Sequence, residues 1–169
     1  MTIRAWGGFQ VLSREELDGH PYAGDLGISP IGEDFTPERF DMILDEHGDW
    51  SRKPIKAFLV HEGNVCGIGN GYLLDVLFRA KLSPKRKVYD IRTGERRRLH
   101  RAIVMTLNEA VEKGGRDTER DLHGAPGRYV PILDRRAKDR PCPECGAPIE
   151  KISYLGGTWY VCPSCQPAS

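Results

Sequence analysis

Four of the five cysteines fall into two close pairs, Cys142 and Cys145 in CPECG and Cys162 and Cys165 in CPSCQ, giving the pattern C-x2-C-x16-C-x2-C. Each pair can occupy one tight turn and aim two sulfurs at a common centre. The sixteen residues between the pairs suit a hairpin that brings the two turns together. Four thiolates at about 2.3 Å satisfy tetrahedral zinc and leave no position open for water. The spacing therefore predicts one structural, non-catalytic zinc; two disulfides or free thiols are the alternatives. Between the pairs, Ile149 to Leu155 and Thr158 to Val161 read as two strands around Gly156-Gly157. A segment this short buries little core, so the metal has to supply much of its folding free energy. The fifth cysteine, Cys66, follows Val65 with no base nearby in sequence and reads as a small packed hydrophobe.

A second stretch, VCGIGNGYLLDVLFRAKLSP at 65–84, crowds glycines and an asparagine at the entrance to an amphipathic helix. Gly63, Gly67 and Gly69 can take positive φ or let another backbone approach closely, and Asn70 is placed to cap the helix. Amide N–H groups at a helix start, unobstructed by side chains, make an anion site. Lys56, one helix earlier and read as facing solvent, would add a cation suited to a nucleic-acid phosphate. An ordinary glycine-rich turn with a capping asparagine is the competing explanation.

These groups need a scaffold, and residues 36–113 supply a helical one. Thr36 and Pro37 open a helix whose apolar stripe is Phe40, Ile43, Leu44 and His47 before Gly48, with His47 at the core edge. A short helix over 54–61 buries Ile55, Phe58 and Leu59. A third starts at Asn70 with Leu73, Val76, Leu77 and Ala80 in register. A fourth, 94–113, aligns Leu99, Ile103, Leu107, Ala110 and Val111 and ends at Gly114-Gly115.

The net charge of +1 conceals a strong asymmetry. Residues 1–78 carry 6 Lys/Arg against 13 Asp/Glu, whereas 79–140 carry 18 against 9. A basic central segment flanked by acidic sequence points to a polyanion-binding face, against the plainer alternative of a solvated helix surface. No apolar run is long enough to span a bilayer and no secretory signal opens the sequence. The expected location is cytoplasmic, where structural disulfides are rare.

The lysine, the GIGN turn and the cysteine pattern together resemble the formamidopyrimidine-DNA glycosylase and endonuclease VIII family of base-excision repair enzymes. The match runs over about 23–166, through IKAFLVHEGNVCGIGNGYLLDVLFRAKLSP and RPCPECGAPIEK…WYVCPSCQ. The resemblance implies a helix–two-turns–helix domain followed by a zinc finger. It also implies that Lys56 and Asn70 grip DNA phosphates while Gly67 and Gly69 permit close approach. IRAWGGFQVL looks like the family's last catalytic-domain strand and duplex-probing loop. Arg4 and Trp6 would then be base or backbone contacts, although Ala5 stands where a second arginine is expected. The phosphate-contacting arginine of the family's finger falls at Gly157, and Arg128, Arg135, Arg136 and Arg140 are candidates to compensate.

Family enzymes begin Pro-Glu and attack with the proline amine, whereas this sequence begins Met1-Thr2-Ile3. The expectation is a DNA-binding relative without the catalytic N-terminus, which traps no adduct with abasic DNA and borohydride. The alternatives are the DNA-binding half of a split glycosylase/AP lyase, or an RNA- or ribosome-binding protein. The expected fold is mainly α, a helix–two-turns–helix bundle followed by a four-cysteine zinc β-hairpin finger. The expected parts are 1–22, a remnant strand and loop; 23–125, the helical domain; and 126–169, linker and finger. A strand near 7–12 would pack on the helices, pair with a protein partner or remain loose.

Overall fold

The structure is a computed structural model in which residues 11–20, 27–46, 52–61 and 65–168 are described. Arg4, Trp6, His47, Gly48 and Gly63 lie outside the described residues, as does the 7–10 part of the expected N-terminal strand. Val11 and Leu12 are exposed and belong to no strand. In chain order the described elements are α1 (Arg14–Asp18), α2 (Pro37–Asp45), α3 (Ile55–His61), α4 (Asn70–Ala80), α5 (Thr93–Glu112), β1 (Glu150–Tyr154) and β2 (Gly157–Val161). The mainly α bundle followed by a β-hairpin is as the sequence predicts.

Local chemistry accounts for the boundaries. Ser13 Oγ accepts from Glu16 N–H and Glu16 Oε2 accepts from Ser13 N–H, a capping box that starts the one-turn helix α1. Thr36 caps α2 by accepting from Arg39 N–H at 3.1 Å, with Pro37 in the first turn. Phe40, Ile43 and Leu44 from α2 and Ile55, Phe58 and Leu59 from α3 are buried as their spacing predicts. On α5 the apolar face is Leu99, Ile103, Leu107 and Ala110, but Val111 is 63% exposed. Val111 lies about 100° round the helix from Ala110, outside the arc that Leu99, Ile103, Leu107 and Ala110 bury.

Helix α4 is the hub. Leu73, Val76, Leu77 and Ala80 are fully buried, and the same core continues into the finger through Leu82, Leu133, Ile149, Trp159 and Val161. Strands β1 and β2 pair antiparallel, from Glu150 opposite Val161 to Tyr154 opposite Gly157. The two turn residues between them are Leu155 (φ 45°) and Gly156 (φ 70°). Two consecutive positive φ values are what a tight hairpin turn of matching twist requires. The turn thus sits one residue earlier than Gly156-Gly157, and Gly157 becomes the first residue of β2.

Candidate nucleic-acid interface and metal centre

The two cysteine turns converge. All four sulfurs of Cys142, Cys145, Cys162 and Cys165 lie within 4.8 Å of one another, with Cys142–Cys165 at 3.9 Å and Cys145–Cys162 at 3.4 Å. Bonds of about 2.3 Å to a tetrahedral ion would put sulfurs about 3.8 Å apart, so the cluster fits a zinc-sized ion. Backbone N–H groups of Glu144 and Cys165 donate to the sulfurs of Cys142 and Cys162, each at 3.4 Å, an arrangement that favours thiolate. The Ala147 N–H draws the Cys145 thiol down to about 7, while burial pushes Cys165 up to about 12. Four thiols this close cannot all ionise unless a cation is present. The donor set therefore suits a soft metal ion.

The metal site is fastened to α4. Gln166 is buried; its side chain accepts from Cys162 N–H at 3.1 Å and donates to Leu82 O at 2.9 Å. Lys81, in the left-handed conformation that ends α4, pairs with Glu144 at 3.0 Å. Asp75 on α4 does the same for the preceding segment. It is fully buried and accepts from Tyr129 O–H (2.6 Å), Ile132 N–H (2.9 Å) and Leu133 N–H (2.8 Å). Burial pushes its carboxyl above the usual range, and the bond from Tyr129 pulls it back. Neither Asp75 nor Gln166 stands out in the sequence, because the partners of Asp75 and the Leu82 carbonyl that Gln166 reaches all lie more than fifty residues away.

The GIGN turn differs in one respect from its expected form. Asn70 is the first residue of α4 and not its cap; the cap position is Gly69 (φ −85°, ψ 162°), which has no side chain to accept a bond. The helix start is therefore uncapped, and Asn70 is exposed beside it. Gly67 takes φ +77°, which only glycine adopts freely. Gly71 admits a group that the sequence did not foretell: a Cβ there would collide with Nη1 of Arg116. The Arg116 guanidinium thus rests against the positive end of the α4 dipole, and its buried Nε has no acceptor.

Lys56 overturns its solvent-facing expectation. It is 1% exposed, and its ammonium donates to the carbonyls of Tyr154 (2.9 Å) and Leu155 (2.8 Å) at the hairpin turn. The same nitrogen lies 4.9 Å from the centre of the Trp159 ring. Burial pushes its pKa below the usual lysine value. An α3 lysine reaches the finger because the finger folds back on the helices, which no local pattern encodes. Two of its three N–H donors are used by these carbonyls. Arg128, Arg135, Arg136 and Arg140 are all exposed, and Arg136 is paired with Asp117 and Asp134.

Residues 26–121, more than half of the chain, match the formamidopyrimidine-DNA glycosylase H2TH domain. The chain belongs to that family. It is 34% identical over 167 residues to the formamidopyrimidine-DNA glycosylase of Geobacillus kaustophilus and 33% identical over 168 residues to that of Streptococcus mutans. Each alignment covers 97% of this chain and 60% of the relative, so the chain spans about 60% of the length of the curated relatives it matches. Among solved structures, the MutM (Fpg) protein of Thermus thermophilus superposes with a TM-score of 0.79 at 35% identity, over 92% of this chain and 59% of that one. The Lactococcus lactis Fpg in complex with abasic-site DNA gives 0.73 at 31%, over 83% and 51%. In this member of the formamidopyrimidine-DNA glycosylase family, one helix joins the two parts of the site. The uncapped turn lies at the start of α4, and the four-cysteine cluster is tied to its end. Among the described residues, no helix is long and apolar enough to cross a membrane.

Proposed function

We propose that this chain binds duplex DNA through its backbone phosphates and holds one structural zinc in its four-cysteine cluster. The observation that carries the binding reading is the start of α4. An uncapped helix N-terminus, the exposed Asn70 and the Arg116 guanidinium packed on Gly71 all present positive charge or donors with no side-chain cap between them. Such a place is stabilised by an anion, and phosphate is the anion a repair-glycosylase relative meets. Lys56, buried beneath the finger turn, would serve the phosphate surface by holding that turn in place, and Gly67 and Gly69 keep that surface clear of side chains. Arg128 and Arg135 are further cations at the linker. Zinc would hold the two cysteine turns together and supplies no open position for chemistry. In this reading these residues supply binding, not the attacking amine of the family's base-excision reaction.

The test is binding of the full chain to intact duplex, abasic duplex, single-stranded DNA and a stem-loop RNA at two salt concentrations. Duplex binding that weakens steeply with salt, and that loses affinity in Asn70→Ala with little change of salt slope because a neutral amide releases no counterion, supports the reading. Salt-insensitive binding, or a marked preference for the RNA, overturns it. Elemental analysis should find one zinc per chain; a zinc-free, folded protein would refute the metal assignment.

A further inference from the structure

The α4–α5 loop carries a set of cations treated very differently from one another. Arg86 is turned inward, where Glu95 meets its guanidinium at 3.2 Å and Asp90 O accepts from it at 3.1 Å. Its neighbours Lys85 and Lys87 are exposed, and among the described residues neither has a carboxylate partner. Each ammonium instead lies over a tyrosine ring, Lys85 at 5.7 Å from Tyr154 and Lys87 at 5.7 Å from Tyr89. A ring face holds an ammonium in place without neutralising it and without consuming its N–H donors. The two lysines are thus positioned with no carboxylate paired to them among the described residues.

Their placement matters as much as their charge. Ile55 N–H donates to Arg86 O and Val88 N–H to Lys53 O, which clamps this loop along the start of α3. The Tyr154 ring that steadies Lys85 also has Lys56 Nζ at 5.9 Å, so two ammonium groups converge on one aromatic ring at the finger turn. Beside them the buried Trp159 Nε1 has no acceptor. Like charges gathered here repel unless an anion lies among them. The loop continues as an open groove lined by Lys85, Arg86, Lys87, Tyr89, Asp90, Arg92 and Ala168, in which Asp90 is the one carboxylate among the described residues.

We infer that Lys85 and Lys87 are phosphate ligands of this chain, extending its contact with one DNA strand from the finger turn onto the α4–α5 loop. The inference rests on the DNA-binding reading and adds to it a second surface, at the end of α4 opposite the GIGN turn. The occupant is a duplex backbone, because point-like ammoniums on tyrosine rings read charge and carry no base-edge donor pattern.

The experiment measures binding of the full chain to a fluorescein-labelled 24-base-pair duplex by anisotropy, between roughly 50 and 200 mM salt. It compares the unaltered chain with Lys85→Ala/Lys87→Ala, Lys85→Arg/Lys87→Arg and the control Arg39→Ala on α2. Each lost phosphate contact lowers the salt slope by about 0.9, which at 0.1 M salt is roughly an eightfold loss of affinity. The double alanine variant should therefore bind about 60-fold more weakly with a slope lower by about 1.8. The double arginine variant and Arg39→Ala should match the unaltered chain. If the unaltered chain binds and the double alanine variant keeps its slope, the inference fails while the reading above stands. Loss of binding in the arginine variant also overturns it, since charge would not be what the site needs. No duplex binding by the unaltered chain defeats both.

Discussion

Replacing Lys56 with methionine keeps the aliphatic stem and removes the ammonium that ties α3 to the finger. Two hydrogen bonds from a charged donor, at 2.9 and 2.8 Å, are lost. Such bonds contribute about 1.5–3 kcal/mol each. Two offsets apply. Removing the ammonium relieves the desolvation that pushes its pKa down, and the Leu155 carbonyl, on a residue 50% exposed, can return to water. The net destabilisation should be about 2 kcal/mol, which for a chain of this size lowers Tm by about 4–8 °C.

The hairpin turn should feel the loss first. Leu155 holds φ 45°, a conformation costing a non-glycine residue about 1–2 kcal/mol, and its carbonyl is one of the two that Lys56 secures. Thermal unfolding of the zinc-saturated protein by far-ultraviolet circular dichroism reads the shift. Lys56→Arg, too bulky for the same pocket, should not restore it. A Lys56→Met variant that melts within about 1 °C of the unaltered chain would refute the structural role of this ammonium. It would return Lys56 to the solvent-facing residue that the sequence alone suggests.

Asn70→Ala should leave Tm within about 1 °C, because Gly69 and not Asn70 is the cap, while weakening duplex binding; a drop of about 4 °C or more would restore the capping role. Asp75→Ala orphans three buried donors and should cost about 3 kcal/mol in urea unfolding; a cost below about 1 would mean that water replaces the carboxylate. Chelating the zinc proposed for the four-cysteine cluster should lower the melting of the helices as well as the hairpin, because Trp159 and Val161 share their core with α4. Hairpin loss with unchanged helical melting would contradict that continuity. Glu109 is held below the usual carboxylate range by Lys113 and by Arg79. A depressed folded pKa stabilises above the ordinary glutamate value and loses that contribution as pH falls through the lowered one. The stability gap between the unaltered chain and Glu109→Gln should therefore be constant near neutrality and close on acidification below about pH 4.3. A gap that widens there would reverse the sign.

The parts legible in the sequence are those specified by local rules. Thr36-Pro37 fixes the start of α2, the 3.6-residue spacing fixes the buried faces of α3, α4 and α5, and the C-x2-C pairs fix the metal cluster. What escaped is specified by contacts between distant segments. Lys56 reads as a surface residue because its acceptors are 98 and 99 residues away. Arg116 reads as one more basic residue because the space it fills is set by Gly71. The turn of the hairpin shifted by one residue for a subtler reason. Gly156-Gly157 offers the two easiest positive φ values, yet Leu155 takes one of them while Lys56 binds its carbonyl.

That contact also links the two halves of the proposed site. The metal cluster sets the separation of the cysteine turns, the turns set the register of β1 on β2, and the register places the Tyr154 and Leu155 carbonyls. Those carbonyls hold Lys56, and the Tyr154 ring steadies Lys85. A structural metal held by the four cysteines would in this way govern the position of two ammonium groups at the finger turn. The α4 start is shaped by Gly69, Gly71 and Arg116, which lie outside the finger. Metal loss should therefore divide the site: contacts that depend on Lys56 and Lys85 weaken, while the Asn70 contribution persists as long as α4 stays folded. Measuring the salt slope of the zinc-free protein below its melting temperature separates the two. A slope lowered by the share of Lys85, which the Lys56-held finger turn positions, with the Asn70→Ala loss undiminished, is the expected result. An unchanged slope would mean that the finger does not position the lysines.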